Sequence, residues 1–288
     1  MPRKYWIFIL LPLCAVLAFT PLSFLSFIIL VYLVAVFLPL PRFGLFSRLA
    51  ISLLIILSTN TLVAGLGWIF NLPLHARFIV ALYYVIFFVV VARNRHLLLS
   101  GFILKPKRQE VFAALLSFVL FLITILPVAK DSSITNAERV VAYGGDNLSH
   151  LEMVNADAQT AGYTYKKYTD GVSQYSIIKP LTGYPQGLHI NVVFLNDIAK
   201  PLHGGPISSR RLLLSFQLIS SMWFALLAYL FITTCFELMD VESQKTVGYI
   251  VTASVAGWLF LGVFFTTFTS GFQTQIAALV LLLSLIHI

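Results

Sequence analysis

VFAALLSFVLFLITILPV, residues 111–128, contains no charged side chain. Its length approaches the roughly 20 apolar residues that a helix needs to cross a bilayer. Seven further apolar runs are bounded by charges, prolines or polar clusters. The eight predicted spans cover 5–20, 22–40, 49–70, 78–91, 111–128, 212–236 and 247–268, with the last beginning at residue 275. We therefore predict an all-α integral membrane protein with about eight transmembrane helices and one large extracytoplasmic loop.

The composition supports this class and excludes several others. Of the 288 residues, 59% are hydrophobic and 10% are charged, whereas a soluble domain carries roughly 25% charged residues. The two cysteines, Cys14 and Cys235, lie inside apolar runs. A soluble enzyme, a disulfide-rich secreted scaffold and a zinc protein are therefore excluded. No motif supports ATP hydrolysis, serine hydrolysis, zinc proteolysis or NAD chemistry.

The positive charges predict the orientation of the chain. If the N-terminus is cytoplasmic, only Arg77 lies in a short outer loop. Ten cations then lie on the cytoplasmic side: Arg3, Lys4, Arg42, Arg48, Arg93, Arg95, Lys105, Lys107, Arg108 and Lys245. This asymmetry follows the positive-inside rule and makes loop 129–211 extracytoplasmic. Because the rule accounts for most of the net charge of +8, we expect no nucleic-acid partner. The loop then faces the periplasm, the cell exterior or a lumen.

These spans divide the chain into four parts. Residues 1–128 form an N-terminal transmembrane region of about five spans, and residues 129–211 form the extracytoplasmic loop with interfacial helices. Residues 212–282 hold spans six to eight, the last of them incomplete. Residues 283–288, LSLIHI, match the translation of a sequencing adapter. We therefore expect the natural chain to continue differently after residue 282.

A first cluster of polar residues lies within the outer loop. It reads YGGDNLSH over residues 143–150, and Asp146 or Asn147 is suited to cap a helix that runs to about Thr160. On this helix Asp146 and His150 are four residues apart, and Asp157 lies on nearly the same face. Asp146 then serves either as a general base or metal ligand, or as an N-cap with a histidine neighbour. The sequence leaves both interpretations open.

A second polar cluster, YPQGLH, covers residues 184–189. Pro185 suits the first turn of a helix, and we expect an interfacial or partly buried helix that ends near Ala199. Tyrosines and lysines lie between the two clusters, Lys167 among them. They suit either a sugar and a phosphate or the interface of a membrane.

Two adjacent arginines lie at the outer end of the sixth span, where the positive-inside rule does not place them. Arg210 and Arg211 could bind a lipid phosphate through paired hydrogen bonds, or anchor the helix at the interface.

The segments GGDNLSHLEMVNADAQTAG (144–162) and YPQGLH (184–189) resemble polytopic bacterial membrane proteins of the GT-C glycosyltransferase superfamily and their relatives. The resemblance covers about residues 143–189. It implies transfer of a sugar from a polyprenyl-phosphate carrier to an acceptor on the outer face of the membrane. GT-C enzymes commonly place their acidic residue after the first span, whereas five predicted spans precede it in this chain.

The resemblance also assigns roles to individual residues. Asp146 would be the catalytic residue, which accepts the acceptor's proton or holds a divalent cation, the one cofactor implied. His150 and His189 would be pocket residues. The other predicted substrate-binding residues are Asp157, Lys167, Tyr184, Arg210 and Arg211.

Two other functions are alternatives to sugar transfer. A transporter or flippase of lipid-linked material would carry ionisable residues inside its spans, but these spans are nearly free of them and only the uncharged Asn60 stands out. The other alternative is a non-catalytic protein of envelope assembly. Its charge-rich outer loop would bind no ligand.

Overall fold

The computed structural model describes residues 6–38, 40, 42–70, 72, 75–93, 105–130, 133, 135, 139, 147–160, 187–199, 209–238, 245–270 and 273–287. All regular secondary structure in these ranges is helical. The helices are α1 (Ile7–Leu17), α2 (Ser23–Phe37), α3 (Leu45–Ile69), α4 (Ala76–Arg93), α5 (Arg108–Lys130), α6 (Asn147–Thr160), α7 (Gly187–Ala199), α8 (Ser209–Leu238), α9 (Lys245–Leu261), α10 (Val263–Thr269) and α11 (Gln273–His287).

Five helical segments of the described chain are long and apolar enough to cross a membrane. They are Leu45–Gly67, Ala76–Arg93, Arg108–Lys130, Arg211–Leu238 and Thr246–Thr269. This is consistent with the predicted integral membrane protein. The other three predicted spans correspond to α1, α2 and α11, whose described helices contain 11, 15 and 15 residues. The count of eight spans therefore stays a prediction.

Local sequence explains where the uncharged run 111–128 becomes a helix. At the start of α5 the side chain of Glu110 accepts a hydrogen bond of 3.2 Å from the backbone N–H of Lys107. This contact satisfies one of the N–H groups that a helix start leaves without a partner. At the other end, Lys130 lies in the last turn, where a cation interacts favourably with the helix dipole.

Contacts between residues group the chain into two compact units. The first unit contains residues 1–105, 156–172 and 190–207. In it, α1 packs against α2 and α4, and α2 packs against α3 and α4. The hydroxyl of Tyr84 donates to the carbonyl of Ser26 (2.6 Å), and the hydroxyl of Ser26 donates to the carbonyl of Cys14 (2.8 Å). Hydrogen bonds therefore join α1, α2 and α4 inside an apolar core.

The second unit contains residues 106–155, 173–189 and 208–288. Helix α8 lies at its centre and packs against α5, α9 and α11. Pro127 lacks an N–H group and so weakens the hydrogen-bond ladder of α5. Close by, the side-chain amide of Gln217 on α8 donates to the carbonyl of Thr124 on α5 at 3.0 Å.

Each unit contains residues from at least two of the predicted regions 1–128, 129–211 and 212–282. The units are groups of residues in contact, whereas the predicted regions separate transmembrane from extracytoplasmic segments.

Two helices occur in the predicted outer loop. Helix α6 ends at Thr160 and α7 ends at Ala199, as the capping and turn residues predict. Helix α7 is largely buried: Leu188, His189, Ile190, Asn191, Val192, Phe194, Leu195, Asn196 and Ile198 are all shielded from solvent.

Candidate functional site

The second unit brings two predicted pocket residues into direct contact. Nδ1 of His150, on α6, lies 2.9 Å from Nε2 of His189, on the first turn of α7. The two residues are 39 positions apart in the chain. Their exposed fractions are 5% and 0%. This buried pair joins the ends of the segments YGGDNLSH and YPQGLH.

The orientation of the rings shows what kind of contact this is. The ring centroids are 5.1 Å apart, and the ring planes are inclined by 34°. The centroid distance exceeds the nitrogen distance by about the sum of the two ring radii. The two nitrogens therefore point at each other, as in a hydrogen bond, and do not converge on a third point.

A hydrogen bond between two imidazoles needs one donor and one acceptor. In a neutral imidazole one nitrogen carries a hydrogen and the other a lone pair. The bond between His150 and His189 therefore contains one hydrogen, which either ring can carry. Addition of hydrogens to both facing nitrogens would replace the bond by repulsion.

Asp157 is fully buried in the first unit. Its exposed fraction is 0%, and burial raises the pKa of its carboxyl well above the ordinary value, because water no longer stabilises the charged form. The side chain thus keeps its proton to higher pH than an exposed aspartate does.

Buried amides also connect α3 and α7 in the first unit. Nδ2 of Asn60 donates to Oδ1 of Asn191 at 2.9 Å, and Nδ2 of Asn191 donates to the carbonyl of Leu57 (3.2 Å) and to the hydroxyl of Thr61 (3.3 Å). Asn60 has no solvent exposure. The bond satisfies Nδ2 of Asn60 and Oδ1 of Asn191 in a position where an isolated polar group would be costly, whereas Oδ1 of Asn60 is buried without a hydrogen-bond partner.

The last turns of α7 are held by two more hydrogen bonds of the first unit. Oδ2 of Asp197 accepts from the backbone N–H of Ala76, at the start of α4, at 3.1 Å. The hydroxyl of Ser23, at the start of α2, donates to the carbonyl of Ile198 at 2.5 Å. Both bonds satisfy backbone groups at helix ends.

Two of the other predicted site residues lie in a described helix, and three do not. Asp146, Lys167 and Tyr184 lie outside the described residues. Arg210 and Arg211 lie in the first turn of α8, and the side chain of Arg211 is half-buried. In the described part of the chain, no three histidine, cysteine, aspartate or glutamate side chains are grouped as a metal site would require. The predicted divalent cation depends on Asp146.

Sequence reasoning missed several polar residues that the fold brings into contact. Asn191 and Asp197 lie in GLHINVVFLNDIA, residues 187–199, and their polarity within an apolar run was a signal for buried partners. Gln217 in α8 gave a similar signal. None of these three residues was predicted as part of a site.

The comparison with known proteins adds no relative. No family model, no curated protein and no solved structure matches this chain. The function must therefore be inferred from the site.

Proposed function

We propose that the protein is a membrane glycosyltransferase that moves a sugar from a polyprenyl-phosphate donor to an acceptor on the outer face of a bacterial plasma membrane. Its N-terminus is cytoplasmic and loop 129–211 is extracytoplasmic. The proposal combines the resemblance of two short segments with the contact between them.

The contact between His150 and His189 is the observation that carries this proposal. The resemblance rests on GGDNLSHLEMVNADAQTAG and YPQGLH, and each of these segments contains one of the two histidines. Residues that serve one active site must meet in space, and these two lie 2.9 Å apart. Two motifs that served separate roles would have no need of this contact.

The reaction asks little of the protein beyond positioning. The acceptor oxygen forms a bond to the sugar, and the bond from the sugar to the phosphate oxygen breaks. Orientation of the reactants and stabilisation of the departing phosphate lower the barrier. In the proposal Asp146 takes the acceptor's proton or holds a divalent cation, and Arg210, Arg211 and Lys167 bind the phosphate. Asp157 and Tyr184 complete the predicted set of substrate-binding residues.

Transport of lipid-linked material is the second candidate function. The buried pair of Asn60 and Asn191 favours it, because Asn60 lies within a candidate span and polar groups there often mark a transport pathway. The buried carboxyl of Asp157 is a second group of the kind that proton-coupled transporters use.

Release of free polyprenyl phosphate tests the proposed function without knowledge of the acceptor. Membranes that contain the full chain would be supplied with polyprenyl phosphates carrying radiolabelled mannose, glucose or arabinose. We expect the wild type to release polyprenyl phosphate from one of these donors. In Asp146→Asn we expect the rate to fall by roughly 100-fold or more, because the reaction loses its base.

The matched control is Asp240→Asn, which makes the same chemical change on the predicted cytoplasmic side and should retain the wild-type rate. Equal release by wild type and Asp146→Asn would remove Asp146 from the reaction. If no donor is turned over and a fluorescent polyprenyl phosphate crosses the bilayer of proteoliposomes, the second candidate function would replace the first.

A further inference from the structure

Helix α7 runs alongside α2 in the first unit. The hydroxyl of Ser23, the first residue of α2, donates to the carbonyl of Ile198. Four residues earlier in α7 and four residues later in α2, the rings of Phe194 and Phe27 meet at a centroid distance of 5.9 Å. Because a helix rises 1.5 Å per residue, these contacts place the two helices antiparallel over about 6 Å.

Contacts with α4 and α3 give the direction of α7 relative to the membrane. Asp197 accepts a hydrogen bond from the N–H of Ala76, the first residue of α4, whereas Asn191 accepts one from Asn60 of α3. Six residues separate the end of α3 at Ile69 from the start of α4, so these two helix ends lie on the same side of the membrane. Helix α7 therefore extends from this side into the interior.

The depth of Asn191 follows from two separate distances. Along α7 it precedes Asp197 by six residues, which correspond to about 9 Å. Its partner Asn60 lies seven residues before the end of the candidate span Leu45–Gly67, which corresponds to about 10 Å along α3. The contact between the two asparagines therefore lies about 9–10 Å below the level at which α3 ends and α4 begins.

The outer sides of α3 and α4 show that lipid surrounds this level. On α3, Leu62 and Leu66 are 69% and 54% exposed, and on α4, Phe78 and Leu82 are 64% and 47% exposed. Both helices are long and apolar enough to cross a membrane, and such an exposed apolar face is covered by lipid tails. The two asparagines are buried at the same level, on the inner side.

The side chain of Asn191 has its hydrogen-bond partners on α3. Its Oδ1 accepts from Nδ2 of Asn60, and its Nδ2 donates to the carbonyl of Leu57 and to the hydroxyl of Thr61. In hydrocarbon a lost hydrogen bond is costly, because no water replaces the partner. A helix on the membrane surface would have water for its amides and no need of these partners. The bonds therefore stabilise α7 in the interior position.

We propose that α7 is a re-entrant helix: it enters the bilayer from the side on which α4 begins, and the bond between Asn60 and Asn191 holds it at depth. This inference goes beyond the proposed function and does not depend on it. Part of loop 129–211 then lies inside the membrane. It brings loop residues to the depth at which a polyprenyl-linked molecule has its hydrocarbon chain, whereas an interfacial helix would meet only the head group.

The depth of α7 can be measured without knowledge of any activity. The full chain in lipid nanodiscs would carry one added methionine with a ¹³C-labelled methyl group, either Val193→Met or Ala199→Met. Neither position is fully buried, and methionine adapts to irregular packing. NMR relaxation of each methyl group would be compared with a gadolinium chelate in the water and with a nitroxide in the middle of the lipid chains. We expect the ratio of aqueous to lipid relaxation to fall severalfold from position 199 to position 193.

Two positions of α4 calibrate this ratio. Phe78→Met and Leu82→Met change exposed residues that lie about 3 and 9 Å along α4 from its start on the same side of the membrane. The ratio at position 193 should fall between the ratios at 78 and 82, and the ratio at 199 should exceed that at 78. The unsubstituted chain identifies the signals of its own four methionines. Equal ratios at 193 and 199, both above that at 78, would place α7 along the surface and overturn the proposal.

Coupling between the two asparagines tests what holds α7 at depth. Asn60→Leu and Asn191→Leu each leave the partner amide in an apolar environment without its bond, and we expect each to lower the thermal unfolding midpoint by roughly 3–8 °C. The double variant should lose less than the sum of the two losses, because neither amide is then left without its partner.

The matched control is Gln217→Leu, which removes a buried amide of the second unit that donates to α5. Combined with Asn60→Leu, its loss should be additive. Additive losses for Asn60→Leu and Asn191→Leu would overturn the role of the pair in holding α7. The relaxation ratios require neither of these variants, so they test the depth of α7 even if a single variant fails to fold.

Discussion

Asp157 is a single residue whose environment predicts the pH dependence of folding. Burial raises the pKa of its carboxyl in the folded protein, whereas the unfolded chain loses this proton near the ordinary value. The folded state is therefore favoured at low pH. The stability declines as the pH rises from the unfolded pKa toward the higher folded pKa.

We expect Asp157→Asn to reduce this decline, because asparagine has no proton to lose. The measurement is the thermal unfolding midpoint in nanodiscs between pH 4 and pH 8, and the variant's midpoint should fall less than that of the wild type. Glu237→Gln, at an exposed position of α8, is the control and should follow the wild type. A variant curve parallel to that of the wild type would contradict the prediction.

The sequence identified single residues that stand out from their surroundings, but it did not identify which residues contact each other. Asn60 stands out in its span, yet its partner Asn191 is 131 positions away, and no local pattern specifies such a pair. His150 and His189 were both predicted as pocket residues from their motifs. Their direct contact required the tertiary fold, because the spacing of 39 residues leaves the path of the chain open.

Among the elements, the junction of α9 and α10 differs most from its sequence pattern. One continuous span was predicted over residues 247–268, but the helix breaks at Gly262. A Cβ atom at this glycine would lie 2.6 Å from the carbonyl oxygen of Trp258, whereas at Gly257, in the middle of α9, it would contact nothing within 4 Å. Both sides of the break are apolar, so the hydropathy pattern does not reveal it.

These two glycines give a matched pair of substitutions with opposite expected signs. Gly262→Ala should lower the free energy of unfolding by about 1–3 kcal/mol, because the backbone must shift to admit the methyl group. Gly257→Ala should raise it by about 0.5–1 kcal/mol, since alanine favours a helix over glycine. Denaturation in detergent micelles measures both values. A stabilising effect of Gly262→Ala would contradict the structure of this junction.

The bounds of α6 and α7 were more predictable than this break. Helix α6 begins at Asn147, one of the two predicted capping residues, and α7 begins at Gly187. Pro185, predicted for the first turn of α7, lies outside the described residues. Such local signals act over one turn of helix. Burial of α7 was harder to predict, since a short apolar helix suits a membrane interface as well as a protein core. Asp197 and Asn191 decide between these environments through their contacts in the first unit.

For the whole molecule, composition predicted the helical membrane class, and the charges predict an orientation that can be measured. We expect His75→Cys to react with a membrane-impermeant maleimide added to intact cells, because His75 is exposed and lies in a predicted outer loop. Lys105→Cys, also exposed, should react only after the cells are made permeable.

The unsubstituted chain, which contains Cys14 and Cys235, supplies the background reaction. The reverse pattern of labelling would invert the orientation and place residues 129–211 in the cytoplasm. An outer-face transfer reaction would then be excluded.

The number of spans stays a prediction, because the first two apolar runs of the sequence are longer than the helices that they form. The first two predicted spans were 5–20 and 22–40, whereas α1 and α2 contain 11 and 15 residues. A turn lies between the two helices, and Leu38, after the end of α2, is extended.

This shortening has a consequence for the surrounding lipid. At 1.5 Å per residue, helices of 11 and 15 residues extend about 16 and 22 Å, against a hydrocarbon thickness of about 30 Å. A bilayer that meets these two helices must become thinner, or their ends must be covered by polar head groups drawn inward. Lipids with short acyl chains would fit these two helices with the least deformation, and a thicker bilayer would fit them at a higher energetic cost.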